Sequence, residues 1–214
     1  MNPFEVKMAE FIQAEMQTGT AHDFQHVLRV VKSARMLCAK EQAIMEVVLP
    51  AAWLHDCLTL AKDHPQRSLS STLAADKAIE FLAKIGYPNE YFEAIHHAII
   101  AHSFSANITP QTIEACIVQD ADRLDALGAI GVARCIQVSA QLKQNLYCPD
   151  DPFCQQREPN DRLYTLDHFY KKLLHIAKSM CTDSGRLEGM KRNDFMYVFI
   201  RQLNKEIAPN KCTE

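Results

Sequence analysis

Glycine is scarce in this chain, with six residues in 214, and there is a single tryptophan within an aromatic share of 8%. β-Sandwiches and barrels draw on glycine-rich turns and aromatic strand faces, so both are disfavoured. The eight cysteines, at 38, 57, 116, 135, 148, 154, 181 and 212, form no Cys-x-x-Cys pair, which removes zinc ribbons and thioredoxin-like redox motifs. No apolar run reaches the ~18 residues of a membrane span. The amphipathic opening, Met1-Asn-Pro-Phe-Glu-Val-Lys, lacks the basic n-region and apolar core of a secretory signal. An excess of one charge is missing too. There are 23 Lys and Arg against 26 Asp and Glu, net −3, with no basic stripe of the kind that tracks duplex nucleic acid. Together these absences predict a cytoplasmic protein with reduced thiols, no membrane partner and no duplex nucleic-acid partner.

What the chain has is helical periodicity. Its 48% apolar and 23% charged residues are ordinary for a globular protein. A chain of this length buries roughly 70% of its unfolded surface and needs no staples. Phe4, Met8, Phe11 and Ile12 share one face of a first helix over about 3–17, ended at Gly19. Asp23 is placed to cap a second helix over about 24–40, which turns Val27, Val30, Val31, Ala34 and Leu37 inward. A third helix, about 43–58, is apolar on nearly all sides and hence central, with Pro50 placed to bend it. Further helices are expected over about 66–85 (stopped by Gly86), 88–102, from Pro110 to about 122, 124–144, 165–181 and 186–206. Gly128 and Gly131 mark close packing, and Met180, Met190 and Met196 read as core. The segment Tyr147-Cys-Pro-Asp-Asp-Pro-Phe-Cys-Gln-Gln-Arg-Glu-Pro-Asn160 carries three prolines and reads as an irregular loop, a lid or a mobile segment. Cys148 and Cys154, both within it, could pair. With no repeat and no convincing strand, residues 1–214 read as a single all-α domain. It comprises a core motif region at about 20–135, an irregular loop at about 147–160 and a C-terminal helical extension at about 160–207.

One doublet stands apart. His55-Asp56 lies inside the apolar run Val48-Leu-Pro-Ala-Ala-Trp-Leu-His-Asp-Cys57. An imidazole and a carboxylate each cost several kcal/mol in such a setting if left unpaired, and a divalent metal would satisfy both. His26 near the start of one helix and Asp122 near the end of another occupy inward-facing positions and could complete the site. Each has a plainer reading alone: His26 as a cap, Asp56 as a loop residue, Asp122 as the partner of Arg123. The adjacency of 55 and 56 inside an apolar element weighs against those readings. Two imidazoles and two carboxylates suit a first-row divalent ion, and the carboxylates favour the harder members.

These residues also carry a family resemblance. His22-Asp-Phe-Gln-His26-Val-Leu-Arg29-Val, then Ala-Trp-Leu-His55-Asp56, then Ala121-Asp122-Arg123-Leu-Asp125-Ala resemble the ordered H…HD…D signature of the HD-domain metal-dependent phosphohydrolases. The resemblance covers about 20–135 and extends more softly to the C-terminal helices, which are similar to those of the small stand-alone bacterial branch. Lys62-Asp-His-Pro-Gln-Arg67, His102-Ser-Phe-Ser and Gln119-Asp-Ala-Asp-Arg-Leu-Asp-Ala-Leu-Gly128 resemble the same branch. The resemblance implies an all-α HD-domain fold with additional C-terminal helices. It implies His26, His55, Asp56 and Asp122 as ligands of one divalent ion, with Mn favoured over Co, Ni, Fe, Mg or Zn. Asp120 and Asp125 compete for the last ligand place, and Asp125 could instead orient a ligand or substrate. Asp56, Lys62, Arg67 and His102 are the candidate catalytic residues. Arg29, Lys62, Arg67, Arg123 and Asp125 are the candidate substrate contacts, with the helix start near Gln66 adding to an anion site. The plainer reading of these cations is a solvated surface, and that of His96, His97 and His102 a polar rim rather than a second metal site. His64, His168 and His175 read as outside the site.

The reaction implied is hydrolysis of a phosphate ester or anhydride, with a nucleotide as substrate and pyrophosphohydrolase action on nucleoside triphosphates as the specific expectation. A di-iron oxygenase using His97 or His102, and a weakly active metal- or nucleotide-binding sensor, are the alternatives. The sequence leaves a homodimer open.

Overall fold

The computed structural model describes residues 2–16, 24–60, 64–103 and 106–207. The expectations placed on Gly19, Asp23, Lys62 and Cys212 lie outside the described residues. The order of helices is α1 (Pro3–Met16), α2 (Phe24–Glu41), α3 (Met45–Leu54), α4 (Ser70–Lys84), α5 (Phe92–His102), α6 (Ile113–Leu124), α7 (Gly128–Gln141), α8 (Thr165–His168), α9 (Leu174–Ile176) and α10 (Asp183–Ile207). Short 3-10 turns precede α4 and α5. The fold is all-α. Among the described residues the only extended pairing is an isolated parallel bridge between Asn145 and Tyr164. The chain forms two compact units: Met1–Asp125 with Met180–Gly185, and Ala126–Ser179 with Arg186–Glu214.

In the first unit, α1 opens on a reciprocal capping box. The Glu5 amide donates to Asn2 Oδ1 (2.9 Å) and the Asn2 amide to Glu5 Oε2 (3.1 Å), with Pro3 at the first helical position. Met8 and Ile12 are buried, Phe11 stacks on Phe81, and Phe4 meets the edge of Tyr87. In α2 the inward face is Val27, Val30, Val31, Ala34 and Leu37, all buried. α3 is central, since every residue from Val47 to Leu54 is buried. Each such aliphatic side chain contributes about 1.5–3 kcal/mol through burial. Pro50 sits within α3 and has no N–H for the Glu46 carbonyl; the Tyr87 hydroxyl donates to that carbonyl instead (2.7 Å). α3 stops at Leu54, so His55 and Asp56 fall in the turn that follows rather than in a helix running to about 58. α6 begins after its cap Thr112, whose hydroxyl accepts the Ala115 amide (3.2 Å), and not at Pro110.

The second unit begins with a break that the periodicity over 124–144 conceals. Leu127 is extended (φ −118°, ψ 164°) and Gly128 takes φ +69°, a left-handed conformation open to glycine at little cost. α7 starts there. The 147–160 segment is tied to its own unit. The Asp151 carboxylate accepts the amides of Gln155 (3.0 Å) and Gln156 (2.8 Å). Arg157 forks onto the fully buried Asp167 (2.5 and 2.7 Å) and lies over the Tyr164 ring. Cys148 and Cys154 are both free thiols, so the pairing left open to them does not form. A π turn at Phe169–Leu173 interrupts the helix expected over 165–181. Met180 and Met196 are buried as expected, but Met190 is exposed, because α10 turns Asn193, Met196 and Ile200 inward instead.

Burial pushes the Asp167 carboxyl up, but the Arg157 guanidinium and the Asn160 amide more than reverse this and leave its pKa lowered. A depressed carboxylate adds stability that is complete above its unfolded pKa of about 4 and is lost as pH falls through the folded value. Arg157→Ala leaves a buried carboxylate with fewer donors. It is expected to cost about 2 kcal/mol at neutral pH, read as a lower urea midpoint, with the difference from wild type shrinking in acid.

Candidate metal centre

Four helix ends bring the site together. His26 is in the first turn of α2, His55 and Asp56 follow α3, His102 ends α5 and Asp122 lies in the last turn of α6. His26, His55 and His102 are buried. Each donates through Nδ1 to a fixed acceptor: His26 to Asp125 Oδ2 (2.7 Å), His55 to the Ala52 carbonyl (2.8 Å) and His102 to the Ile99 carbonyl (2.5 Å). This fixes a proton on each Nδ1 and leaves Nε2 as the atom that each ring turns inward. Those three Nε2 atoms all lie near the Asp56 carboxylate, and that of His26 also near Asp122. His26 Nε2 lies 3.4 Å from Asp122 Oδ1 and 3.8 Å from Asp56 Oδ2, His55 Nε2 lies 3.6 Å from Asp56 Oδ2, and His102 Nε2 lies 3.7 Å from Asp56 Oδ1. His26, His55 and Asp56 each offer a ligand atom within 4.8 Å of the others.

The electrostatics suit a cation. Burial pulls the His26 pKa down, but Asp122 and Asp125 more than reverse it and raise it to about 9, so a metal bound there would displace the Nε2 proton of His26. Burial pulls Asp122 up, yet the hydrogen bond and charge of His26 lower it to about 2. His55 is fully buried and burial lowers it to about 4, so it is neutral at physiological pH. Its Nε2 is a buried polar atom with no hydrogen-bond partner. An orphaned imidazole lone pair aimed at carboxylates is costly by itself and is what a metal would satisfy. The donor set is nitrogen and oxygen. Cys57, although adjacent, turns away to the Ala74 carbonyl (3.2 Å), and burial pushes its thiol up to about 12. A divalent ion fits these residues, and nitrogen with carboxylate oxygen points to the first-row metals.

The competitors for the last ligand place are placed elsewhere. Asp120 is fully buried and accepts the Cys181 amide (2.9 Å), the Thr182 amide (2.8 Å) and the Thr182 hydroxyl (2.7 Å). Asp125 holds His26 and also takes Arg29, Nε to Oδ1 at 2.6 Å and Nη2 to Oδ2 at 3.1 Å. Arg29, expected at phosphate, is thus engaged with Asp125. The charge of Arg123 acts on Asp120. Arg67 donates to the Leu60 carbonyl. The helix start near Gln66 is self-satisfied, since the Gln66 amide donates to His64 Nδ1 (3.1 Å) and the Arg67 amide to the His64 carbonyl (3.1 Å). His97 Nε2 accepts the Gln111 amide (3.0 Å) and His96 pairs with Asp76 (2.9 Å), so neither reaches the cluster through these atoms. His168 pairs with Asp161. Asp125, expected either as a competing ligand or as a group that orients one, holds His26; sequence reading missed that Arg29 shares that carboxylate and that Cys181 and Thr182 hold Asp120. The only signal for either was the unexplained acidity of the segment 120–125.

The HD domain family model matches residues 23–127, spanning His26, His55, Asp56, His102 and Asp122. YpgQ of Bacillus subtilis is 32% identical over 212 residues, 95% of each chain. The chain belongs to the HD-domain family. The crystal structure of YpgQ in complex with ADP superposes with a TM-score of 0.71, covering 95% of this chain and 97% of that one. An HD-superfamily hydrolase from Bacillus thuringiensis is 29% identical, with a TM-score of 0.75 over 95% of this chain and 97% of its own. The fold is thus that of the HD-superfamily hydrolases. Among the described residues no helix is long and apolar enough to cross a membrane.

Proposed function

We propose that this chain is a metal-dependent phosphohydrolase acting on nucleotides, with pyrophosphate release from nucleoside triphosphates as its reaction. The observation that carries the reading is the buried His55 Nε2, without a hydrogen-bond partner, among two further imidazoles and two carboxylates. His26, His55, Asp56 and Asp122 are the proposed ligands, joined by His102 as a third imidazole, with Mn the favoured ion. A divalent ion there supplies Lewis acidity, which polarises a phosphoryl group and lowers the pKa of the attacking water. The residues do the rest. Asp125 and the two carbonyls orient the imidazoles, and Asp56 and Asp122 supply the negative charge that a cation would meet. Arg67 braces Leu60, two residues ahead of Lys62. Lys62 is the cation proposed to neutralise the phosphate chain. The complex of YpgQ with ADP supports a nucleotide as the substrate class.

The test is a screen of nucleotides and simple phosphate esters with Mn, Co, Ni and Mg, resolving phosphate from pyrophosphate. Metal-stimulated pyrophosphate release from a triphosphate is expected; no metal-stimulated release from any phosphate substrate would sink the reading. Lys62→Ala removes a charge-assisted contact worth about 1.5–3 kcal/mol. A fall in kcat/KM for triphosphates of roughly 10–100-fold is expected, and unchanged kinetics would remove Lys62 from phosphate binding.

A further inference from the structure

Asp120 and Asp122 lie two residues apart on α6 and therefore about 200° apart around it. One faces the metal centre and the other faces the segment 181–182. That segment, part of the first unit, comes from far along the chain and meets α6 through hydrogen bonds. Cys181 and Thr182 donate both amides and the Thr182 hydroxyl to Asp120. The Thr182 hydroxyl also accepts the Gly185 amide (3.0 Å), capping α10. Gly185 approaches so closely that a Cβ there would stand 2.5 Å from Asp120 Oδ2. The neighbouring Gln119 completes the arrangement. Its amide donates to the Ala101 carbonyl (2.7 Å), directly before His102, and its oxygen accepts the Cys181 thiol (3.3 Å). Gln119, Asp120 and Thr182 are all buried.

One buried polar network thus grips the end of α5 that carries His102 and the end of α6 that carries Asp122. Apolar packing alone lets helices slide by fractions of an ångström. A carboxylate with three donors and an amide with both ends engaged do not, because each displaced bond strands a buried polar group. We propose that Gln119, Asp120 and Thr182 form a positioning clamp that sets the separation of His102 and Asp122 across the metal centre, an inference that rests on the metal-centre reading above. None of the three touches substrate or metal. They act through the two ligands beside them.

The test measures Mn2+ affinity of the metal-free protein, titrated by electron paramagnetic resonance well below each variant's unfolding midpoint. Asp120→Asn leaves one acceptor where there were two and turns an NH2 towards the donors of 181–182. It is expected to weaken Mn2+ binding roughly 10–100-fold, the scale of losses from groups that orient metal ligands. Thr182→Val should weaken it less, and Thr182→Ser, which keeps the hydroxyl, should restore it. Met8→Ala, a core truncation in α1, serves as the comparison: it lowers the unfolding midpoint and leaves Mn2+ affinity alone. If Asp120→Asn fails to fold, Thr182→Val and Gln119→Leu decide the matter. Wild-type affinity in the folded clamp variants, with only their midpoints lowered, overturns the inference. His55→Ala is titrated alongside. If wild type shows no Mn2+ binding that depends on His55, the metal reading fails and the clamp falls with it. If it does and the clamp variants match wild type, the clamp alone is wrong.

Discussion

Replacing His55 with alanine is expected to abolish metal-dependent phosphohydrolysis. The His55 ring is fully buried, its Nδ1 proton is committed to the Ala52 carbonyl, and its Nε2 has no hydrogen-bond partner. Burial keeps it neutral, with a pKa near 4, so the lone pair is available across the physiological range. No solvent-exposed group can substitute for it at that depth. Loss of a residue that merely orients a ligand costs roughly 10–100-fold in metal affinity, and loss of the ligand itself is expected to exceed that. Asp56→Ala should behave alike, because Asp56 spans the ring nitrogens of His26, His55 and His102. The measurements are Mn2+ titration and pyrophosphate release, with circular dichroism to establish that the variant folds. Full activity in either variant would refute the assignment of the site.

Asp125→Asn is expected to weaken metal binding roughly 10–100-fold although Asp125 is not itself a proposed ligand. The carboxylate accepts the His26 Nδ1 proton at 2.7 Å and the Arg29 fork on both oxygens. Asparagine keeps one acceptor. The Arg29 fork competes for that oxygen, which turns the amide NH2 to His26 Nδ1. That arrangement favours the tautomer with the proton on Nε2, pointing an N–H rather than a lone pair at the metal. The same exchange removes the negative charge that helps raise the His26 pKa to about 9. Arg29→Ala should have a smaller effect, since the His26–Asp125 bond survives it. Metal titration of the two variants side by side checks the order. A wild-type affinity for Asp125→Asn would show that His26 needs no such partner.

Much of this was legible in the residues themselves, and the reason lies in what a local pattern can report. The period of apolar residues says which face of a helix turns inward, so the inward face of α2, the burial of α3 on all sides and the isolation of His55-Asp56 followed from the sequence. It does not say which atoms of distant elements meet. Arg29 and Asp125 stand 96 residues apart, and in sequence a paired cation looks the same as a solvated one. The Arg29 fork, which the sequence offers to a phosphate, is engaged with Asp125. Asp120 and Asp122 were likewise equivalent as letters. Their separation around α6 was predictable, but which of the two faces the imidazoles depends on where α2, α3 and α5 end. The break before α7 was hidden for a different reason: a single glycine at φ +69° redirects the chain without disturbing the apolar period on either side.

The sequence by itself determined that the protein is all-α and that a buried histidine–aspartate doublet needs a partner, because periodicity and the cost of burying polar groups are local properties. The tertiary structure alone decided which carboxylate faces the imidazole of His26, that His102 Nε2 joins those of His26 and His55 beside Asp56, and which partners Asp125 and Asp120 hold. Those facts depend on distances of a few ångströms between residues up to about a hundred positions apart, which only the packing of helix against helix sets.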